Sequence, residues 1–147
     1  MGGRMQLKIS RLSPDVPFPA YASAGAAAFD LAAAAAVEVP AHGIALVPTG
    51  LVVAVPPGHF LAIFARSSTP LKRGLMVANG VGVVDADYCG PADEVKVQVI
   101  NVTAAAVHVA AGDRIAQAMM LAAPRLDLQE QPIGDRASRG GFGSTGR

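Results

Sequence analysis

The segment Ile44–Ala65 reads IALVPTGLVVAVPPGHFLAIFA, three short apolar runs separated by Pro-Thr-Gly and Pro-Pro-Gly. Runs of about five residues closed by tight-turn residues predict short strands, and strands at this spacing build an all-β sandwich or barrel. The stretches on either side extend the pattern. MQLKISRL (5–12) alternates apolar with polar side chains, as do EVKVQVINVT (94–103) and VHVAAGDRIAQAMML (107–121). Pro14, Pro17 and Pro19 exclude regular helix and give an extended connection. A jelly-roll-like fold follows.

One stretch resists this reading. SAGAAAFDLAAAAAVEVP (23–40) is rich in alanine, the strongest helix former, and propensity alone calls 24–36 helical. No helix-stop signal appears, and Val37-Glu38-Val39-Pro40 continues as strand, so we read the segment as loop and strand. The one expected helix starts within Arg66-Ser67-Ser68-Thr69-Pro70 and stops at Gly74, with Ser or Thr as cap and Pro70 at the first helical position. Amides at such an N-terminus, two hydroxyls and a guanidinium favour an anion.

The 147 residues suit one domain, with residues 126–147 as a glycine-rich C-terminal arm that composition alone calls flexible. Hydrophobic residues are 52% and aromatics 5%, so Val, Ile and Leu must form the core. A net charge of +1 argues against a nucleic-acid-coating protein, and any phosphate site must be local. Cys89 is the only cysteine, which excludes an internal disulfide and fits a reducing compartment. No apolar run has the length of a signal peptide or a membrane span, and the expectation is a soluble, cytoplasmic protein. His42, His59 and His108 are scattered and read as surface residues.

Chemistry concentrates in Val77–Gly90, VANGVGVVDADYCG. Asn79-Gly80 is a tight-turn signal that predicts a hairpin. On an extended strand Asp85 and Asp87 would share a face, with Tyr88 beside them. Taken alone, this is a hairpin with a polar outer face. The spacing G-x-x-D-x-x-Y, carried by Gly82, Asp85 and Tyr88, resembles the central motif of the trimeric dUTP diphosphatases (dUTPases). Four further motifs of that family stand in order: AGAAAFDL (24–31), ARSS (65–68), GDRIAQ (112–117) and GGFGSTG (140–146).

The resemblance implies Mg²⁺-dependent hydrolysis of dUTP to dUMP and pyrophosphate, which limits uracil incorporation into DNA and supplies dUMP for thymidylate synthesis. It makes Asp85 the catalytic residue that activates water. Arg66, Ser67, Ser68 and Gln117 become phosphate ligands, the turn at Asn79 with Gly82 reads the base, and Tyr88 excludes a ribose 2′-hydroxyl. Phe142 would stack on the base, with Gly143, Ser144 and Thr145 on the terminal phosphates. Mg²⁺ would be held mainly by the triphosphate, with Asp30 reaching it through water. Arg114 would instead be structural, pairing with an acid. The assembly implied is a homotrimer whose arms complete neighbouring sites.

Several positions depart from the family pattern. Ser68 stands where glycine is usual, Cys89 replaces an arginine, and Pro91–Glu94 lengthens the loop after Tyr88. Ala137 occupies a usual arginine position, so Arg139 is taken as the arm's cationic ligand, with Arg136 open beside it. The rival readings are a dCTP deaminase-like enzyme, which would need a glutamate base that the motifs lack, and a dUTP-sensing regulatory protein.

Overall fold

The computed structural model describes residues 3–146. Met1 and Gly2, and Arg147, the last residue of the expected arm, lie outside them. The all-β expectation holds, with eleven strands and one helical turn among the described residues. A four-stranded sheet has the order β2 (Phe29–Ala32), β11 (Arg114–Ala122), β6 (His59–Phe64), β8 (Gly82–Val84). A three-stranded sheet has the order β4 (Ile44–Pro48), β9 (Lys96–Asn101), β7 (Leu75–Val77). Two antiparallel pairs complete the set: β1 (Lys8–Arg11) with β5 (Leu51–Ala54), and β3 (Val37–Val39) with β10 (Val107–Val109). The sheets stay open and do not close into a barrel.

Alternation in the sequence becomes alternation in burial. Val97 and Val99 of β9 are buried while Lys96 is exposed, and Leu75 and Val77 flank an exposed Met76. All four sheets contribute to one buried cluster, including Leu31, Val39, Val47, Val53, Leu61, Leu75, Val99 and Ile115. Aliphatic side chains carry nearly all of it, as the low aromatic content requires.

The alanine-rich segment forms no helix. Phe29 and Leu31 point into the core while Asp30 and Ala32 face outward, so burial on a strand with period two outweighs alanine's intrinsic preference. The expected helix is present as a single turn, Thr69–Arg73, ended by Gly74 at φ 65°. A Cβ at Gly74 would stand 2.2 Å from Thr103 Cγ2, so the stop needs glycine for space as well as conformation. Ser68 is at the cap position but makes no capping hydrogen bond, and one turn sums little dipole. Among the described residues no helix is long and apolar enough to cross a membrane.

Two polar contacts tie the sheets together. Asn101 is fully buried; its amide donates to the carbonyls of Val39 (3.1 Å) and Ala105 (2.7 Å) and accepts from the Thr103 N–H (2.9 Å) and hydroxyl (2.7 Å). Arg73, at the end of the helical turn, donates to Asp113 (2.8 Å) and to the His108 carbonyl (2.8 Å). The Arg73 guanidinium first, and the Ala110 N–H second, hold the Asp113 carboxyl below its ordinary range.

Asn101→Ala would strand the buried Val39 contact and the part-buried groups of Thr103 and Ala105 and should cost about 3 kcal/mol, read as a lower urea midpoint at fixed protein concentration with an unchanged slope. For Asp113 the pH sign follows from the lowered pKa. On acidification the unfolded chain takes up this proton first, so the stabilisation is complete above the ordinary value of 3.8 and is lost as pH falls through the lower folded value. Asp113→Asn should therefore lose less stability below pH ~4 than the parent, relative to its own value at neutral pH.

Candidate active site

Residues from three of the five motifs meet at one end of the four-stranded sheet. Strand β11 pairs with β2 on one side, placing Gln117 opposite Asp30, and with β6 on the other, placing Gln117 opposite Phe64. Arg66 lies just past the end of β6, and its Nε donates to Asp30 Oδ1 at 2.9 Å. Arg114 donates from Nη1 to the other carboxylate oxygen, Oδ2, at 3.3 Å. Gln117 donates from Nε2 to the Ala65 carbonyl at 3.0 Å, leaving its own carbonyl oxygen free to accept.

A β-bulge makes this cluster possible. Ala116 faces Leu31, and regular pairing would bring Arg114 opposite Ala33, a fully buried position. The register shift between Arg114 and Ala116 sets Arg114 opposite Ala32 instead, on the face that Asp30 shares. The expectation that Arg114 pairs with an acid is met, and the acid is Asp30.

Asp30, with only 15% of its side chain exposed, gives one oxygen to each arginine. Each oxygen keeps a further lone pair, so accepting a hydrogen bond from a metal-bound water fits this arrangement. Among the described residues no three His, Cys, Asp or Glu side chains converge as a metal cage. Ser67 is exposed and Ser68 half-buried beside Arg66.

The Val77–Gly90 stretch is not the hairpin its sequence suggests. Strand β7 pairs with β9 and β8 pairs with β6, so the Asn79-Gly80 turn carries the chain from one sheet to the other. Gly80, at φ 76°, closes the turn by donating its N–H to the Val77 carbonyl at 3.0 Å. Gly82 is buried against Ile63. Nor do Asp85 and Asp87 share a strand face: β8 ends at Val84, and the Tyr88 N–H bonds the Asp85 carbonyl at 3.2 Å. That contact makes a turn, and both carboxylates are exposed on it.

Asp85 and Tyr88 line an open groove of about 360 Å³ with Leu46, Val83, Glu94 and Lys96. The Tyr88 hydroxyl donates to the Glu94 carbonyl at 2.9 Å, and the Glu94 carboxylate accepts the Gly50 N–H at 2.9 Å. The lengthened loop is thus closed on itself, with Asp93 accepting the Gly90 N–H at 2.7 Å. Cys89 is exposed on it. Glu94 was missed in the sequence, although an acid directly before a strongly alternating strand was a visible signal.

Within one chain the two groups stand apart. Gln117 faces Phe64, whereas Val84 faces Leu61, which puts Asp85 beside Phe60. Those rows are about 13 Å apart along β6, and Arg66 lies two residues further out. The arm departs from the Asp85 end, where Ala122 faces His59. All hydrogen bonds of residues 124–146 are local to the arm among the described residues. Arg136, Arg139, Phe142, Gly143, Ser144 and Thr145 are exposed along it, touching neither group.

Comparison with known proteins supplies the context for this arrangement. The family model described as dUTPase matches residues 15–146. The deoxyuridine 5'-triphosphate nucleotidohydrolase of Wolinella succinogenes is 44% identical over 146 residues, spanning 98% of this chain and 96% of that one. The crystal structure of dUTPase from Streptococcus mutans superposes with a TM-score of 0.75 at 33% identity, covering 84% of this chain and 99% of that one. A Staphylococcus bacteriophage 80alpha dUTPase with dUpNHpp gives a TM-score of 0.85 at 20% identity, over 96% of this chain and 98% of that one, a likeness of fold. The motif order, the open β architecture and the near-full-length identity agree, and the chain belongs to the dUTPase family.

Proposed function

We propose that this protein hydrolyses dUTP to dUMP and pyrophosphate, in sites that form between copies of a homotrimer. Family membership supports the reaction. The observation that carries the shared site is the separation within one chain of Asp85 and Tyr88 from the Asp30, Arg66 and Gln117 cluster. A nucleoside 5′-triphosphate needs both groups around adjacent atoms, and a second copy of the chain brings them together. A surface for that copy exists. Met76, Ile100 and Ile44 run in a row across the outer face of the three-stranded sheet, with Leu46 beside them. Ile44, Leu46 and Met76 are each about half exposed, an apolar patch of the kind that marks an interface.

In this reading the residues act as follows. Asp85, exposed at the turn after β8, orients a water and accepts its proton as the oxygen attacks the α-phosphorus in line with the leaving pyrophosphate. Arg66 has its Nε on Asp30, so the outer edge of its guanidinium faces the phosphates as a fixed fork. Ser67, Ser68 and the second amide N–H of Gln117 complete the polar lining as donors to the phosphate oxygens. The Asn79 turn and Gly82 offer backbone groups to the base, while the tethered Tyr88 ring stands against the sugar. Residues 126–147 act as the arm, with Phe142 stacking on the base and Arg139, Gly143, Ser144 and Thr145 closing on the phosphates. Mg²⁺ would be held mainly by the triphosphate, with Asp30 as the residue that would reach it through water, and would supply neutralising charge on the leaving group. Positioning and electrostatics then carry most of the catalysis.

Incubation with dUTP and with dCTP, with products resolved, tests the activity. The expected outcome is dUMP and pyrophosphate from dUTP and no uridine nucleotide from dCTP. A deaminase would give the latter, and a sensing protein would bind dUTP without turnover. Asp85→Asn should keep dUTP affinity within about tenfold and lose kcat by roughly 10² or more, the scale of general-base catalysis. Normal turnover by that variant would remove Asp85 from the mechanism.

The shared site is tested by mixing two inactive proteins, Asp85→Ala and Arg66→Ala, under conditions that exchange subunits. Some mixed sites then hold an intact carboxylate from one chain and an intact guanidinium from another, so activity should return. Differentially tagged mixed trimers that stay as inactive as the parents would show that each chain serves its own site.

A further inference from the structure

We infer that Arg114 is a positioning residue for the polyphosphate, supplying the positive charge that lets Arg66 act on the substrate; this rests on the dUTP reading above. Arg66 and Asp30 alone form a closed ion pair at 2.9 Å. A carboxylate that close offsets most of the field the guanidinium would present to an incoming anion. Arg114, on the second carboxylate oxygen at 3.3 Å, makes the group net positive without loosening the contact that orients Arg66.

Among the described residues, Asp30 is the one carboxylate in an ion pair with Arg66 or Arg114. Asp113, the neighbouring carboxylate in sequence, is held by Arg73 at 2.8 Å. Gln117 is neutral and spends one of its two amide N–H groups on the Ala65 carbonyl. The bulge is the second, independent sign. It interrupts β11 between Arg114 and Ala116 and moves Arg114 from the buried Ala33 position to the Asp30 face. That shift gives Asp30 a second guanidinium where the first would already balance its charge. More than half of the Arg114 side chain remains exposed, against about a quarter for Arg66, so its charge is open to the solvent side where an anion arrives.

The test compares the parent protein with Arg114→Gln, which keeps a polar head able to donate to Asp30 but carries no charge, and with Arg114→Lys, which restores the charge. Arg114→Gln should raise KM for dUTP about tenfold with kcat unchanged, the pattern of lost ground-state and transition-state binding together. It should weaken binding of inorganic triphosphate by a similar factor, while inhibition by deoxyuridine, which has no phosphate, stays as in the parent. Arg114→Lys should recover most of the loss. An unchanged KM in Arg114→Gln overturns the inference, as does a lysine variant no better than the glutamine one. Equal weakening of deoxyuridine overturns it too, because that would mark general disruption. If the parent turns over no dUTP, the proposed activity fails, and triphosphate binding by the three proteins still decides the role of Arg114.

Discussion

The register of β11 is the constraint on which the molecule depends. This strand is paired on both sides, to β2 and to β6, so a slip of one residue would turn its side chains from one face to the other along both ladders. Ile115, Ala116 and Ala118 are buried on it, and that burial fixes the register. With the register set, Gln117 stands beside Asp30, and the shift one step earlier sends Arg114 toward the same carboxylate. The core and the charged cluster are therefore one arrangement: packing chooses the pairing, and the pairing chooses which charges meet.

The same logic separates the two halves of the proposed site. A sheet keeps residues apart in proportion to their distance along a strand, and β6 is the ruler that both halves share. Phe64 marks the guanidinium end and Phe60 the carboxylate end. No side chain spans that interval. Assembly with other copies is thus a geometric need of the proposed chemistry as well as a way to cover an apolar sheet face.

Much of this was legible in the sequence, because alternation and turn residues are local signals. The runs in Ile44–Ala65 became β4, β5 and β6, and Gly74 ended the helical turn as read, while the turn began at Thr69, one residue before Pro70. The failures also have local causes. Asn79-Gly80 makes a tight turn whether the flanking strands pair with each other or part into different sheets, and turn chemistry cannot distinguish the two. The D-x-D spacing implied a shared face only while the strand continued, and it ends at Val84. The Asp30 clamp was half visible: the motif residues stood out, but contacts between residues 30, 66 and 114 join distant parts of the chain. The Asn101 network was hidden because an asparagine ending a strand reads as a polar terminus, not as a buried strut.

The partners in the Asp30 clamp are 84 residues apart for Arg114 and 36 for Arg66. On a ribosome, β2 therefore emerges long before the strand that covers it. Chains dominated by such distant pairings fold slowly, since loop-closure entropy must be overcome before the contacts reward it. Until β11 arrives, Phe29, Leu31 and the alanine tract around them have no pairing partner on that edge. A segment with strong intrinsic helix preference is less prone in that interval to pair as an unprotected strand with another chain. The alanines that mislead a propensity count would then guard the nascent chain, holding the edge out of β structure until its own partner is made.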